Sequence, residues 1–495
     1  MNWVKKTVRL FIDGRFEESL PGTTFASIDP ATEETIAEIF EAAPVDVDRA
    51  VAAARRAFDD GPWPRMSPEE RAAYLNAIAD ALEENTTTLT LLESMDTGLP
   101  ITTCLGHVER AVDNFRFFAG EGLRLRGETL SIGNAYLSVT TREPVGVVAA
   151  LTPWNGPLAI ATLALAPALA CGNTCVLKPS ELTPVTIGEV ARIVEALELP
   201  AGVVNIVNGR GITTGAALAA HPGVDAIAFT GSTPTGRLVL ESAAKTLKRF
   251  VGELGGGATT LVFADVDLDE TIDATFVAAF SNNGETCVAG SSIWVERCLH
   301  DSFVQRFVAR TERLVMGDPR EECTEIGPVI CQAQLERLLL QVERAKRRGA
   351  TILCGGARST RFRQGYYLEP TVLREPSAVV LTGDEHMGPL VTIGAFDSEA
   401  DAIRQANNGE SGLGAYVWCG NTRRALRVAQ SLRFGTVWVN AAMVRDIKVP
   451  FGGFRQSGVG RVGGRFSMES FTEVKNTCLA VQPLPAPQLA GSRTS

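Results

Sequence analysis

The chain has 495 residues, a length that suits two to four domains rather than a single core. Its 45% hydrophobic and 21% charged content are those of an ordinary globular protein. A net charge of −10 argues against nucleic-acid binding, which needs a basic face, so no partner of that kind is expected.

The N-terminal run MNWVKKTVRLFIDGRFEES has no unbroken apolar stretch and so does not read as a secretory leader. It alternates, and Asp13-Gly14 predicts a surface hairpin. Residues 44–92 carry helical periodicity, and Ser67-Pro68-Glu69-Glu70 has the cap, proline and acidic first turn of a helix start. A further helix is expected near 107–121. After Gly127 the run GETLSIGNAYLSVTTREP changes to strand character.

Strands and helices then alternate. VGVVAALTPWN, TCVLKPS, VVNIVNG, DAIAFTGS and RFVGELGG read as strands, and the segments between them as helices, including GITTGAALAAH. This rhythm predicts a doubly wound parallel sheet, whose ligands bind at the carboxyl ends of the strands. A second α/β set runs from ATTLVFADVDLD to TVWVN, and FTEVKNTCLAVQPL reads as a strand before a disordered tail.

The most apolar run, 158–171, is too short to span a bilayer and is interrupted by Pro167, so no membrane association is expected. The ten cysteines follow no repeating spacing, and there are four histidines, His107, His221, His300 and His386. Neither a disulfide framework nor a metal site is expected, and a reducing cytoplasm is the expected compartment.

Four windows could carry chemistry. Cys287 follows the turn-forming Asn283-Gly284 and is expected at the start of a helix or strand, where backbone N–H groups can stabilise a thiolate. The alternative is a small packing residue. Glu285, two residues earlier, would oppose ionisation if it were close in space. Glu253 ends an apolar strand before three glycines, as a helix-cap partner or as a base with its pKa raised by burial. Asn155 in TPWNGP is a turn former or an amide donor to an oxyanion. The spacing Gly209-x-Gly211-x-x-x-Gly215 misses the usual dinucleotide fingerprint by one residue, whereas Gly231-Ser232 between strand and helix suits a pyrophosphate. Lys178 and Glu181 follow another strand, where they could hold ribose hydroxyls, and each of these positions could equally be a surface loop.

Taken in order, TPWN, LKPSE, FTGS, ELGG, the Gly-x-x-Cys of Gly284 to Cys287, EHMGP, VWVN and PFGGFRQSGVGR resemble the aldehyde dehydrogenase superfamily over about 10–476. The resemblance implies an α/β fold with a doubly wound NAD-binding domain (1–123 and 145–254) and a second α/β catalytic domain (255–455). It also implies a small β oligomerisation arm (124–144 and 470–485), with 486–495 as the tail, and a homo-oligomer, dimer or tetramer. It casts Cys287 as nucleophile, Glu253 as the base that activates water, and Asn155 with the Cys287 N–H as the oxyanion hole. Lys178, Glu181, Gly231, Ser232, Gln334 and Glu385 would line the cofactor site, with Trp154 at its edge. Thr152, Pro153, Ser180, Gly211, Gly215, Phe229, Thr230, Leu254, Gly255 and Met387 complete that set.

The implied reaction is oxidation of a small-molecule aldehyde to the acid through a Cys287 thioester. Glu253 favours hydrolysis over transfer to coenzyme A, and Glu181 favours NAD over NADP, because a carboxylate beside the ribose repels a 2′-phosphate. Gly257, Glu285, Met387 and Val462 depart from the usual lysine, glutamine, phenylalanine and acid. The run VNAAMVRDIKVPFGG resembles the loop of dehydrogenases acting on hydroxymuconate-type semialdehydes from aromatic degradation. There, arginines hold the substrate's carboxylate, and the matching residues are Arg445 and Arg110. Arg445 could instead pair with Asp446, and Arg110 with Asp113. Rival readings are a broad, betaine-aldehyde or succinate-semialdehyde dehydrogenase, a nucleotide-free cysteine hydrolase, and a non-catalytic member of the fold.

Overall fold

The computed structural model describes residues 6–375 and 385–482, and the expected tail at 486–495 lies outside the described residues. The expected starts and turns form as the local chemistry dictates. Ser67 Oγ accepts from the Glu70 N–H at 3.2 Å while the Ser67 N–H donates to Glu70 Oε2 at 2.7 Å, a reciprocal cap on the helix Pro68–Glu84. Asp13 and Gly14 both take positive φ and turn Leu10–Ile12 back onto Arg15–Glu17.

Five strands of the first sheet run parallel in the order Arg249–Glu253, Ala226–Thr230, Val147–Leu151, Thr174–Lys178, Val204–Ile206. The earliest of the five lies in the middle, with two later strands on either side. That is the doubly wound order, and its switch point falls at Val147–Leu151. Their side chains alternate between two cores: Val148, Ala150, Cys175, Leu177, Ala226 and Ala228 face one, and Val147, Ala149, Leu151, Val176, Ile227 and Phe229 the other. A strand without polar breaks must be covered on both faces, and each fully buried Val or Leu contributes about 1.5–3 kcal/mol. Pro157–Ala170 and Val185–Ala196 cover the first face, and Pro44–Asp59 the second.

The second sheet has the order Thr351–Cys354, Thr371–Arg374, Leu390–Phe396, Ser292–Glu296, Thr259–Val262, Gly414–Trp418, Thr436–Val439. All its pairings are parallel except the first. A third, antiparallel sheet joins Thr472–Ala480, Tyr136–Pro144 and Thr129–Ile132. Between these parts the chain returns to the first sheet, where Gly458–Val459 pairs with Gly252 and Glu253. This return carries the loop around Arg445 back toward the helix Ile101–Gly122.

Two local expectations differ in detail. The helix expected near 107–121 starts at Ile101, directly after Pro100. The segment after Gly209 opens as a wide π-type turn, Gly211–Gly215, before the short helix Ala216–Ala220. Among the described residues no helix is long and apolar enough to cross a membrane.

Candidate active site

The parallel strands end at Leu151, Lys178, Thr230 and Glu253, so the loops that follow share one edge of the first sheet. Thr152, Pro153, Trp154 and Asn155 follow the first of these ends. The buried Thr152 is anchored there by its N–H, which donates to Lys178 O at 3.2 Å. Asn155 Nδ2 donates to the carbonyl oxygen of Glu285 at 2.8 Å, and Asn282 Nδ2 donates back to Asn155 O at 3.0 Å. Asn155 is thus a tie between the two loops. An amide carries two N–H donors, so a second remains for a ligand.

Cys287 lies in a turn between a short helical segment, Ser281–Gly284, and the strand Ser292–Glu296, not at the start of a helix or strand as expected. Asn282, Asn283 and Gly284 all take left-handed φ. The Asn283 side chain donates to Gly98 O and Pro328 O and accepts from Gly327 N, which holds that conformation. At Gly284 a Cβ would collide with Gly388 O, so only glycine fits. The Cys287 carbonyl accepts from the Gly257 N–H at 3.0 Å, and Gly257 uses a positive φ to supply it.

The Cys287 side chain is half-buried and packs against a small cluster that includes Val288, Tyr416 and Trp438. Burial pushes its thiol up to about 11; Arg445 and the residue's own N–H pull it down, and Glu385 and Glu253 push it further up.

The Glu285 carboxyl turns away from the thiol. Its Oε1 accepts from the Ile330 N–H at 3.0 Å, it is fully buried, and burial raises its pKa well above the carboxylate range. The expected opposition to Cys287 ionisation through proximity therefore does not arise.

Glu253 forms no helix cap. Among the described residues neither of its buried side-chain oxygens has a hydrogen-bond partner, and burial raises its pKa to about 8 against the pull of Arg445 and Arg461. Gly452 lies against Glu253 Oε1, so close that a Cβ there would sit 2.9 Å from the oxygen. A small cavity of about 30 Å³, lined by Thr152, Phe229, Thr230, Glu253 and Val462, adjoins the carboxyl.

The remaining cofactor candidates form two groups. Lys178 is buried, with Nζ donating to Pro179 O at 2.6 Å and 3.6 Å from Glu181 Oε2; burial lowers its pKa. Glu181 Oε1 accepts from the Gly211 N–H at 3.2 Å, and a Cβ on Gly215 would sit 3.5 Å from the Lys178 stem. Ser180 Oγ accepts from Leu182 N. Gly231 donates to Glu253 O, and Ser232 caps the twelve-residue helix Thr233–Ala244 by accepting from Thr235 N at 3.3 Å. Leu254 packs under Gly236 of that helix. In the second group, Glu385 Oε1 accepts from the Gly256 N–H at 3.0 Å beside Gly255, and burial raises its pKa. Gln334 Nε2 donates to His386 O and Met387 O at 3.1 and 2.6 Å, holding Met387 at positive φ.

Arg445 and Arg110 line one cavity of about 600 Å³ between the helix Ile101–Gly122 and the loop 444–451. Neither expected ion pair forms. Asp446 pairs with Lys448 at 3.0 Å, Asp113 makes no bridge to Arg110, and Arg116 of the same cavity pairs with Asp80 and Glu83. Among the described residues, Arg110 and Arg445 are left without an ion-pair partner. The Arg445 guanidinium lies over the Phe451 ring at 3.9 Å, and the pKa of Arg110 is lowered by burial and then by Arg445.

Tyr416 and Trp438 pack beside Cys287 although the sequence does not single them out for chemistry: Trp438 appears there only within the VWVN window, and Tyr416 reads as core.

The Aldehyde dehydrogenase family profile matches residues 16–477. The chain is 40% identical over 468 residues to an aldehyde dehydrogenase of Emericella nidulans, covering 94% of each. The solved NAD+ complex of an aldehyde dehydrogenase from Bacillus cereus superposes with a TM-score of 0.94 at 38% identity, covering 96% of this chain and 97% of that one. HpcC from Thermus thermophilus gives 0.95 at 39%, covering 98% and 95%. The chain belongs to the aldehyde dehydrogenase family.

Proposed function

We propose that the protein oxidises an acidic semialdehyde, of the 2-hydroxymuconate type, to the carboxylic acid with NAD as oxidant and Cys287 as nucleophile. The observation that carries the substrate class is the pair of uncommitted guanidiniums, Arg110 and Arg445, in one cavity beside the thiol's cluster. Two cations that repel each other gain from a shared anion, and a planar carboxylate can take two parallel hydrogen bonds from a guanidinium. Arg110 and Arg445 would repel the cation of a betaine aldehyde, against the attraction of Glu109 and Asp113 elsewhere in the lining.

The residues at the strand ends fit a dinucleotide. Lys178 and Glu181 sit beside the Gly211–Gly215 turn, and the Thr233–Ala244 helix offers its N-terminus. The resemblance to a chain solved with NAD+ supports the same fit. Glu181 beside the ribose hydroxyls would favour NAD over its phosphorylated form. When bound, NAD supplies the acceptor for the hydride that the substrate carbon gives up.

The chain's own residues do the rest. Deprotonated Cys287 Sγ adds to the aldehyde carbon, and the alkoxide is held by the free Asn155 N–H and the Cys287 N–H, each such donor worth about 3–4 kcal/mol. Loss of hydride leaves a thioester on Cys287. The Glu253 carboxylate then takes a proton from water as its oxygen adds to the acyl carbon, and Sγ departs as the acid forms. The absence of partners for the Glu253 oxygens among the described residues suits this role, because both stay available for water.

The test is a panel of acidic, cationic and neutral aldehydes, followed at the nicotinamide absorbance in wild type, Cys287→Ser and Arg445→Ala. The acidic semialdehyde is expected to have the highest kcat/KM, and Cys287→Ser to lose turnover with every aldehyde. Loss of a charge-assisted bond of about 1.5–3 kcal/mol predicts a KM increase of about tenfold to a hundredfold in Arg445→Ala, for acidic substrates only. Equal changes for acidic and neutral aldehydes would instead favour a broad-specificity enzyme.

A further inference from the structure

Between the nucleophile and Arg445 lies a continuous stack of contacts. Tyr416 and Trp438 are register partners on neighbouring parallel strands, and their rings stack at 4.8 Å with planes 15° apart. On one side, Tyr416 Oη donates to the carbonyl of Val288, the residue after Cys287, at 3.0 Å. On the other side, Trp438 Nε1–H donates to the carbonyl of Val444, the residue before Arg445, at 2.7 Å. Met443 also joins the stack, its sulfur 2.9 Å from Tyr416 Oη.

The loop between has little freedom. Asn440 and Met443 take left-handed φ, which a non-glycine residue keeps only when its surroundings hold it. The Asn440 side chain is clamped in both directions on Cys419, accepting from its N–H and donating to its O, each at 2.9 Å. Phe451 supports the Arg445 guanidinium from below. The backbone next to the sulfur and the backbone next to the guanidinium are therefore tied to opposite ends of one stacked aromatic pair.

We propose that the Tyr416–Trp438 stack is a ruler that fixes the separation of Cys287 and Arg445, and thereby selects acidic aldehydes by the distance between their carbonyl carbon and their carboxylate. The proposal rests on the reading that Arg445 receives that carboxylate. Trp438 acts through the Val444 carbonyl and is a positioning residue. A flexible arginine would accept carboxylates at many distances, whereas one whose backbone is tied down pays an ordering cost only once, in folding, and discriminates by length.

The experiment measures kcat/KM for a series of ω-carboxy aldehydes of increasing chain length and for neutral aldehydes of matching length. It uses wild type, Trp438→Phe, Tyr416→Phe and Arg445→Ala. Trp438→Phe keeps a stacked ring but removes the N–H; Tyr416→Phe keeps the stack but removes the bond to Val288. Wild type is expected to peak at one length. Trp438→Phe is expected to flatten that peak, with KM for the best acid rising about tenfold and neutral aldehydes within twofold. Tyr416→Phe should flatten it in the same way, and supplies the answer if the tryptophan variant does not fold. Sharp peaks in the folded variants, together with lost acid preference in Arg445→Ala, overturn the ruler alone. Acid preference retained in Arg445→Ala overturns both the ruler and the reading beneath it.

Discussion

Asn155 Nδ2 donates to the carbonyl oxygen of Glu285 at 2.8 Å, joining the loop after a first-sheet strand to the Cys287 loop across 130 positions of sequence. The same side chain is the proposed oxyanion donor, so one amide would both shape the loop and serve the reaction.

Asn155→Ala removes both functions. Loss of one preorganised donor predicts a fall in kcat of about 10²–10³-fold. Loss of the tie predicts that Cys287 reacts with iodoacetamide at an altered rate in the free enzyme. Asn155→Ser, which keeps a small donor but cannot span the gap, should recover neither. Steady-state kinetics beside alkylation rates check both parts, and unchanged kcat would remove Asn155 from the chemistry.

Glu253 and Cys287 make the pH dependence definite. With the Glu253 carboxyl at about 8 and the thiol at about 11, both reactive forms grow as pH rises. Thioester hydrolysis should therefore increase up to about pH 8 and level off, while alkylation of the free thiol keeps climbing beyond pH 9. The folded carboxyl holds its proton to higher pH than the unfolded one at 4.5, so the native state binds more protons between 4.5 and about 8. Stability falls with rising pH across that window. Glu253→Gln should then raise Tm at pH 8 while leaving it nearly unchanged at pH 4.5, and should allow a burst of product nicotinamide followed by a stall. A stall-free variant would assign water activation elsewhere.

Glu285 tests the separation of the acid from the thiol. Its Oε2 is buried without a partner among the described residues, and its pKa is raised well above the usual value by burial. The sign is the same as for Glu253: the proton favours the native state, and stability is lost as pH rises above the unfolded value of the group. Glu285→Gln should raise Tm at pH 8 and leave the pH profile of Cys287 alkylation where it was. A downward shift of that profile would mean that the two groups do interact.

The signals that fold the chain locally were plain in its sequence. Unbroken apolar runs such as Val147–Leu151 demand cover on two faces, Ser67 with Glu70 closes a helix end, and Asp13-Gly14 makes a tight turn. From these follows the alternation of strand and helix, and with it a doubly wound parallel sheet, whose strand order only the tertiary structure shows. Cys287, Glu253 and Asn155 could be singled out because each stands at a turn or strand end in an ordered set of windows. Their partners could not be. Asp446 lies next to Arg445 in the chain but pairs with Lys448, and Glu285 lies two residues from Cys287 but faces Ile330. Arg110 and Arg445 meet only because the chain crosses a second sheet and returns to the first at Gly458–Val459. Periodicity and turn chemistry act between near neighbours and survive in any fold. Side-chain pairing depends on which surfaces packing brings together, and that is decided only when both sheets are in place.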